Sequence, residues 1–311
     1  MYFPYLRGKQ FELIALRELA ERIGESKVIH PVIEPVKETT NTLEITIDEL
    51  INKQAAFTLI LNPTVGEFSQ NSGKLIDVAN KKISEFEHSN IGLIIHGSSD
   101  LDNIDLLKSG LNIELNSTLI HKGRYPQVEE LLSFANQLNI GYNLFPDAFP
   151  IRRYRNIIEP GTKVLLSDNF NIQRVNADYA EIDDEFFTDE HLYYADEGFA
   201  GFSDYLTIGD EYTSSGFAPF TVAIHLTYVK NDQIWVKHFV SDSNDDTSDV
   251  AGKYGEALEK LIAFINEQQL NTEACQEFRN HYESGHYPGL GSVKKLSVKH
   301  HMELVMQLLN G

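Results

Sequence analysis

Short apolar runs, each ending at a polar or charged residue, recur along the first half of the chain, and a segment able to form a helix follows each run. The first four runs end at Arg7, Glu34, Asn62 and His96. After the first run, apolar residues at helical spacing lead to Gly24, which predicts a helix and its end. Further strands are predicted at residues 117–121, 141–145 and 163–168. Alternating strands and helices are typical of a parallel sheet.

The number of predicted strands favours a closed barrel over an open sheet. Residues 220–226 are predicted as the eighth strand, and they continue into a hairpin that turns at Asn231 and Asp232. The predicted fold class is α/β, a (β/α)8 TIM-barrel-like fold with an insertion before strand eight and a C-terminal helical extension. We predict one domain overall, with the barrel at 1–240, the insertion at about 169–219 and packed helices at 241–311.

Composition indicates an ordinary globular protein, with 42% hydrophobic and 23% charged residues among 311. No apolar run is long enough for a membrane span, and the first residues lack the pattern of a signal peptide. We therefore expect a cytoplasmic protein with no membrane association. The single cysteine, Cys275, lies among acidic residues, which predicts a packing role and a raised thiol pKa.

Charge argues against nucleic acid as a partner. The formal net charge is -20, from 46 acidic and 26 basic residues, and such a surface repels a phosphate backbone. Two short basic segments, at residues 121–124 and 152–155, can still bind an anion locally.

Candidate chemistry follows from the barrel prediction, because active sites of such barrels form at the C-terminal ends of the strands. Eight polar residues end predicted strands: Arg7, Glu34, Asn62, His96, His121, Asp147, Asp168 and His225. The alternative for each of them is a polar residue that only ends a strand and is solvated.

Three residues have two interpretations each. Arg7 is either a clamp for a carboxylate or phosphate group, oriented by Glu12, or the partner of Glu12 in a structural ion pair. Glu34, between two prolines, is either a general base or a partner of Arg7 or Lys37. Asp204 is either a turn cap or a pocket carboxylate.

No cofactor or metal is predicted. His225 and His238 lie on the two strands of the predicted hairpin and could share a substrate or a metal, but no HxH, HExxH or CxxC spacing supports a metal. The acidic residues 242–249 lack the glycine and glutamate of a calcium loop. No phosphate-binding, nucleophile-elbow or dinucleotide motif occurs.

A family resemblance rests on residues 2–12, 31–34 and 201–205. Together these segments resemble the bacterial and phage "beta protein" family. The resemblance implies a barrel-like fold over most of the chain and a place in mobile or phage-defence gene neighbourhoods, and it implies no established activity. Gly8 and Glu12 are separated here by more residues than is usual in that family.

Two functions stay open from sequence. In the first, the strand ends bind or process a small anionic or phosphorylated ligand. Arg7 is then the clamp, Glu34 or Asp204 the base, and His225 the acid or a residue that orients the ligand. The other predicted ligand-binding residues are Glu12, His96, Asp168 and His238. In the second, the barrel is catalytically inert and acts through a protein partner in phage defence.

Overall fold

The structure, a computed structural model, describes residues 1–70, 72–97, 99–112, 114–148, 151–159, 161–214 and 219–311. The chain forms two compact units. The barrel unit comprises Met1–Ser167 and Leu192–Asp204, and the second unit comprises Asp168–His191 and Tyr205–Gly311. Residues 215–218 of the predicted insertion lie outside the described ranges.

Eight parallel strands build the barrel unit, in the order β1-β2-β3-β4-β5-β6-β7-β9. Parallel bridges join Tyr2, before β1, to Ile29, before β2, and to Phe202 of β9. These bridges bring the two edges of the sheet together. The strands are β1 (Tyr5–Leu6), β2 (Val32–Ile33), β3 (Phe57–Ile60), β4 (Ser89–Ile95), β5 (Asn116–His121), β6 (Ile140–Pro146), β7 (Thr162–Ser167) and β9 (Gly201–Asp204). This is the predicted (β/α)8 TIM-barrel-like fold.

Helices connect the strands and cover the outside of the barrel. They are α1 (Gln10–Ser26), α2 (Asn41–Asn52), α3 (Gly73–Val78), α4 (Leu101–Ser109), α5 (Val128–Ala135) and α6 (Arg152–Ile157), with the short α7 (Glu190–Tyr193) before β9. Apolar side chains of β4, β5 and β6 pack with those of α4, α5 and α6 in one buried cluster. The strands are therefore buried on both faces, which explains their nearly continuous apolar sequences.

Ring contacts identify the inner face of the barrel. Phe3 lies 4.8 Å from Tyr142 of β6, and His30 lies 5.4 Å from the same ring. Strands one and two can reach strand six only through the interior. Because side chains alternate along a strand, Tyr5 and Arg7 share the inner face with Phe3.

The eighth barrel strand is β9, so the prediction of residues 220–226 for this strand is wrong. Those residues lead into the second unit, where Ala223 begins a different sheet. The sequence missed β9 because Gly201–Asp204 is only four residues long and lacks an apolar run. An insertion does precede the eighth strand, at Asp168–His191, and the residues after β9 belong to the second unit.

The described part of the second unit contains a three-stranded antiparallel sheet in the order β10-β11-β8 and three long α-helices. Its elements are β8 (Asp184–Thr188), β10 (Ala223–Lys230), β11 (Gln233–Val240), α8 (Val250–Glu267), α9 (Glu273–Ser284) and α10 (Leu290–Asn310). Apolar side chains of β10, α8 and α9 share one core. The predicted hairpin and C-terminal helices are confirmed, although the hairpin is outside the barrel.

The hairpin turn offers a test of backbone conformation. Asn231 and Asp232 both have positive φ, 54° and 63°. A two-residue turn of this kind favours Asn followed by Gly. We expect Asp232→Gly to raise the free energy of unfolding of the second unit by about 0.5 kcal/mol, because the left-handed conformation costs glycine less than aspartate. Urea unfolding followed by the fluorescence of Trp235 measures this, and a decrease would contradict the turn assignment.

One local prediction, a helix that begins after Thr46 with Glu49 three residues further on, differs from the structure. Helix α2 begins after Thr40, whose hydroxyl donates to Glu44, and not after Thr46. Thr46 instead lies inside the helix and donates to the carbonyl of Thr42. Thr46 and Glu49 have the three-residue spacing of a capping box, whereas Thr40 and Glu44 are four residues apart, so the sequence signal favoured the wrong threonine.

Candidate functional site

The barrel mouth, at the C-terminal ends of the strands, holds a buried ion pair between Arg7 and Glu34. Both residues directly follow their strands, and β1 pairs with β2 in the register Leu6 to Ile33. This register places Arg7 beside Glu34, with both side chains on the inner face. The Arg7 guanidinium donates to Glu34 Oε2. The pair corresponds to the alternative in which Glu34 is a partner of Arg7.

Glu34 is completely buried and accepts four hydrogen bonds. Oε2 accepts from Arg7 and from the Tyr5 hydroxyl at 2.6 Å. Oε1 accepts from the Thr64 amide at 2.9 Å and the Thr64 hydroxyl at 3.2 Å. Two carboxylate oxygens offer about four lone-pair positions, so all of them are used. This arrangement suits a residue that fixes Arg7, and it leaves Glu34 little capacity to take a proton as a general base.

A second cation lies near the same network. Lys122 follows β5, and its Nζ is 5.1 Å from the centre of the Tyr5 ring. The Arg7 guanidinium is 5.4 Å from the same ring. The formal charges of Arg7, Lys122 and Glu34 add to +1 at the mouth of a protein whose net charge is -20. Sequence reasoning noted the basic segment at 121–124 but did not bring Lys122, Tyr5 or Thr64 into the site.

A cleft of about 730 Å³ opens at the ends of β3 and β4. Its lining is mostly hydroxyl, amide and apolar groups, and includes Thr64 and His96. Thr64 therefore belongs both to the cleft and to the network around Glu34. The predicted ligand-binding residue His96 is half-buried here, with its backbone N–H donated to Ser99 at 2.8 Å.

The Asn62 side chain continues the backbone pairing of β3 and β4 past the end of β3. Its Nδ2 donates to the Ile94 carbonyl at 2.9 Å, and its Oδ1 accepts from the Ile94 amide at 2.8 Å. The side-chain amide thus replaces a peptide group just before Pro63. Asn62 shapes the cleft, and both ends of its amide are engaged in doing so.

Glu12 stabilises the start of α1. Its carboxylate accepts backbone hydrogen bonds from Lys9, the N-cap residue, and from Arg7. This is the carboxylate half of a capping box. Burial raises the pKa of Glu12, although the neighbouring charges of Lys9 and Arg7 act in the opposite direction. The backbone hydrogen bonds therefore give Glu12 a role in the turn that carries Arg7.

Two predicted residues face away from the barrel interior. Asp204 pairs in register with Ser167 and accepts a hydrogen bond from the Tyr2 hydroxyl at 2.6 Å. Tyr2 stacks on Phe202, on the outer face of the sheet. His121 likewise points to the helices, where its ring stacks on Phe145 and bonds Tyr154 of α6 at 2.9 Å. The base role predicted for Asp204 is not supported by this placement.

Buried histidines on both faces of the barrel sheet are held uncharged. Burial lowers the pKa of His121 to about 4, although its hydrogen bond to Asn143 acts in the opposite direction. Burial also lowers the pKa of His30 to about 3. His30 lies on the inner face, with Nε2 2.9 Å from the Thr58 hydroxyl. Both rings are parts of the core.

Three of the predicted site residues belong to the second unit. Asp168 is exposed and follows β7, while His225 and His238 face each other in the hairpin with 2.8 Å between their Nδ1 atoms. His238 Nε2 lies 3.2 Å from Glu185. Burial lowers the pKa of both histidines, and the charge of Glu185 opposes this at His238. The ring of Tyr179 packs against both histidines, with its centre 4.5 Å from that of His225 and 4.6 Å from that of His238.

Cys275 is buried in the second unit and contacts His300, with 3.3 Å between Sγ and Nδ1. Burial raises the thiol pKa, but His300 and hydrogen bonds from Thr272 outweigh it and hold the pKa of Cys275 below its ordinary value. The prediction of a raised pKa was wrong because the partner, His300, is distant in sequence. The packing role is consistent with complete burial.

The side chain of Lys295, near the start of α10, is engaged within the protein. Lys295 is buried against Glu277, with 2.9 Å between the charged atoms. In the described part of the chain, no three His, Cys, Asp or Glu side chains gather in a way that could hold a metal ion. Nor does any described helix combine the length and apolar character needed to cross a membrane.

Comparisons with known proteins give no relative. No protein-family model, no curated protein and no solved structure matches the chain.

Proposed function

We propose that the barrel mouth binds a small anionic ligand, with a phosphate or carboxylate group held by Arg7 and Lys122. The observation that carries this proposal is the Arg7 guanidinium fixed at the C-terminal ends of β1 and β2 by a fully hydrogen-bonded, buried Glu34. A guanidinium held in one orientation loses less entropy when it forms paired hydrogen bonds to an anion. The cleft beside Thr64 provides space for the rest of the ligand.

The proposal gives each residue at the barrel mouth a role in binding the ligand. Arg7 and Lys122 supply positive charge, Glu34 and Thr64 position Arg7, and His96 lies on the cleft wall. A reaction would need a proton acceptor at the mouth. The placement of Glu34 and Asp204 favours neither as that acceptor, so we assign no reaction to this site.

Other properties predicted from sequence remain proposals. The resemblance to the "beta protein" family supports a setting in phage defence, and the single cysteine supports a cytoplasmic location. A protein-interaction role without a small ligand is the alternative, and the following experiment separates the two.

The test is thermal unfolding with inorganic phosphate, glycerol phosphate and citrate, each compared with sodium chloride at equal ionic strength. A ligand that binds only the folded state raises the melting temperature, and the rise grows with the logarithm of the ligand concentration divided by the dissociation constant. We expect at least one of these anions to stabilise the protein beyond chloride. Lys122→Met is expected to weaken that binding about tenfold, because a charge-assisted contact is lost.

The matched control is Lys81→Met. Lys81 is a well-exposed lysine of the barrel unit, paired with Glu44 at the surface. The Lys81→Met substitution also removes one positive charge, but at a position away from the mouth, so anion binding should be unchanged. If no anion stabilises the protein more than chloride does, or if both variants behave alike, the ligand proposal is wrong and the protein-interaction alternative is favoured.

A further inference from the structure

The second unit has a small aromatic cavity of about 230 Å³ between α8, α9 and the loop after α9. Three tyrosines and two histidines line it: Tyr254, Tyr282, Tyr287, His281 and His286. Tyr254 and His281 are buried at its base, and Tyr282 and His286 are exposed at its rim. We call this the aromatic cavity.

The rings of the aromatic cavity are inclined to one another. The ring of Tyr254 lies 5.4 Å from that of Tyr287 at 46°, and the ring of His281 lies 5.5 Å from that of His286 at 61°. A hydrogen bond of 3.1 Å between the Tyr254 hydroxyl and His281 Nδ1 fixes the base. Aromatic rings that line one cavity at an angle to one another are the arrangement of the aromatic cages that bind ammonium groups.

The electrostatic setting of the cavity also favours a cation. Glu259 is part of the lining, and among the described lining residues none is lysine or arginine. Tyr282 and His281 belong to the last turn of α9, whose carbonyl groups carry partial negative charge. The opposite helix end nearby, the N-terminus of α8, is capped by the carboxylate of Asp249.

Other charged groups near the cavity do not oppose a cation strongly. Lys295 acts on His281 but is paired with Glu277. Burial lowers the pKa of His281, so its ring is uncharged at neutral pH. The cavity is smaller than the ~300–1,000 Å³ of sites for drug-sized ligands, which suits a single head group.

We propose that the aromatic cavity of the second unit binds an organic ammonium group, of the quaternary or methylated kind, between its tyrosine rings and Glu259. This site is separate from the barrel mouth and does not depend on the function proposed for it. Cation–π contacts select such a group because the ring faces attract its positive charge. Its methyl groups also make the cation less costly to desolvate than a bare ammonium group.

The probe is choline, titrated into the full chain by isothermal calorimetry. It is compared with the neutral isostere in which carbon replaces the quaternary nitrogen. We expect choline to bind with a dissociation constant of roughly millimolar or below, and the isostere to bind about tenfold more weakly or not at all. Equal binding of the two would show a merely apolar pocket and would overturn the proposal, as would the absence of choline binding.

Variants locate the binding. Tyr287→Phe keeps the ring and should retain choline affinity, whereas Tyr287→Leu keeps apolar volume and should lose about tenfold. Tyr282→Leu is a second variant, at an exposed position where folding is safe. Tyr193→Leu, an exposed tyrosine of the barrel unit, is the control and should bind normally. Unchanged affinity in both cavity leucine variants would contradict the assignment.

Discussion

Replacing Glu34 by leucine is expected to lower the free energy of unfolding of the barrel unit by about 3–5 kcal/mol. The reason is that Arg7 is only 5% exposed and would keep its charge without its carboxylate partner. The Tyr5 hydroxyl and the Thr64 amide would lose their acceptor as well. Urea unfolding followed by far-ultraviolet circular dichroism measures this change.

Two comparisons make the Glu34 result specific. Glu38→Leu removes an exposed carboxylate paired with Lys74, and should change stability by no more than about 0.5 kcal/mol. The double variant Arg7→Met/Glu34→Leu removes both charges and should recover most of the loss, since the main penalty is the unpaired charge. A loss below about 1 kcal/mol for Glu34→Leu would mean that the pair is solvated and not buried.

Stability is expected to fall as the pH is lowered from 7 to 5, and buried histidines are the cause. The pKa is lowered to about 3 at His30 and to about 4 at His121. In the unfolded chain both titrate near pH ~6.5, so between that pH and their folded values only the unfolded state gains protons. Their contribution to stability is therefore complete above pH ~6.5 and is lost progressively below it, at about 2 kcal/mol each by pH ~5.

The matched variants are His30→Gln and His88→Gln. Glutamine can keep the hydrogen bond to Thr58 but does not titrate, so His30→Gln should reduce the pH dependence of the unfolding free energy by about 1.4 kcal/mol per pH unit between pH ~6 and ~5. His88 is exposed, and its replacement should leave the slope unchanged. An unaltered slope in His30→Gln would show that this imidazole is protonated in the folded protein.

The barrel itself was predictable because its strands are buried on both faces. That burial favours short, nearly continuous apolar runs, and the first four strands were found from such runs. The eighth was missed because Gly201–Asp204 has apolar character only at Phe202, and its place is set by pairing with β7 and by the bridge to Tyr2. Pairing partners distant along the chain leave no local pattern.

The candidate site was only partly predictable, for a similar reason. Arg7 and Glu34 directly follow their strands, and the parallel register brings them together. The sequence had offered Arg7 as one of two partners for Glu34. Side chains alternate between the two faces along a strand, so the face of a residue follows once one residue of that strand is known to lie inside. By this alternation Asp204 and His121 lie on the outer face of the barrel. Lys122 and Tyr5 become part of the site only through three-dimensional contact, so spacing alone could not select them.

The most direct test of the barrel-mouth proposal is a crystal structure of the protein equilibrated with inorganic phosphate. The proposal predicts a phosphate ion at the C-terminal ends of β1 and β5, in contact with both Arg7 and Lys122. A well-ordered mouth that holds no phosphate, or an Arg7 guanidinium engaged by protein groups alone at saturating phosphate, would contradict it.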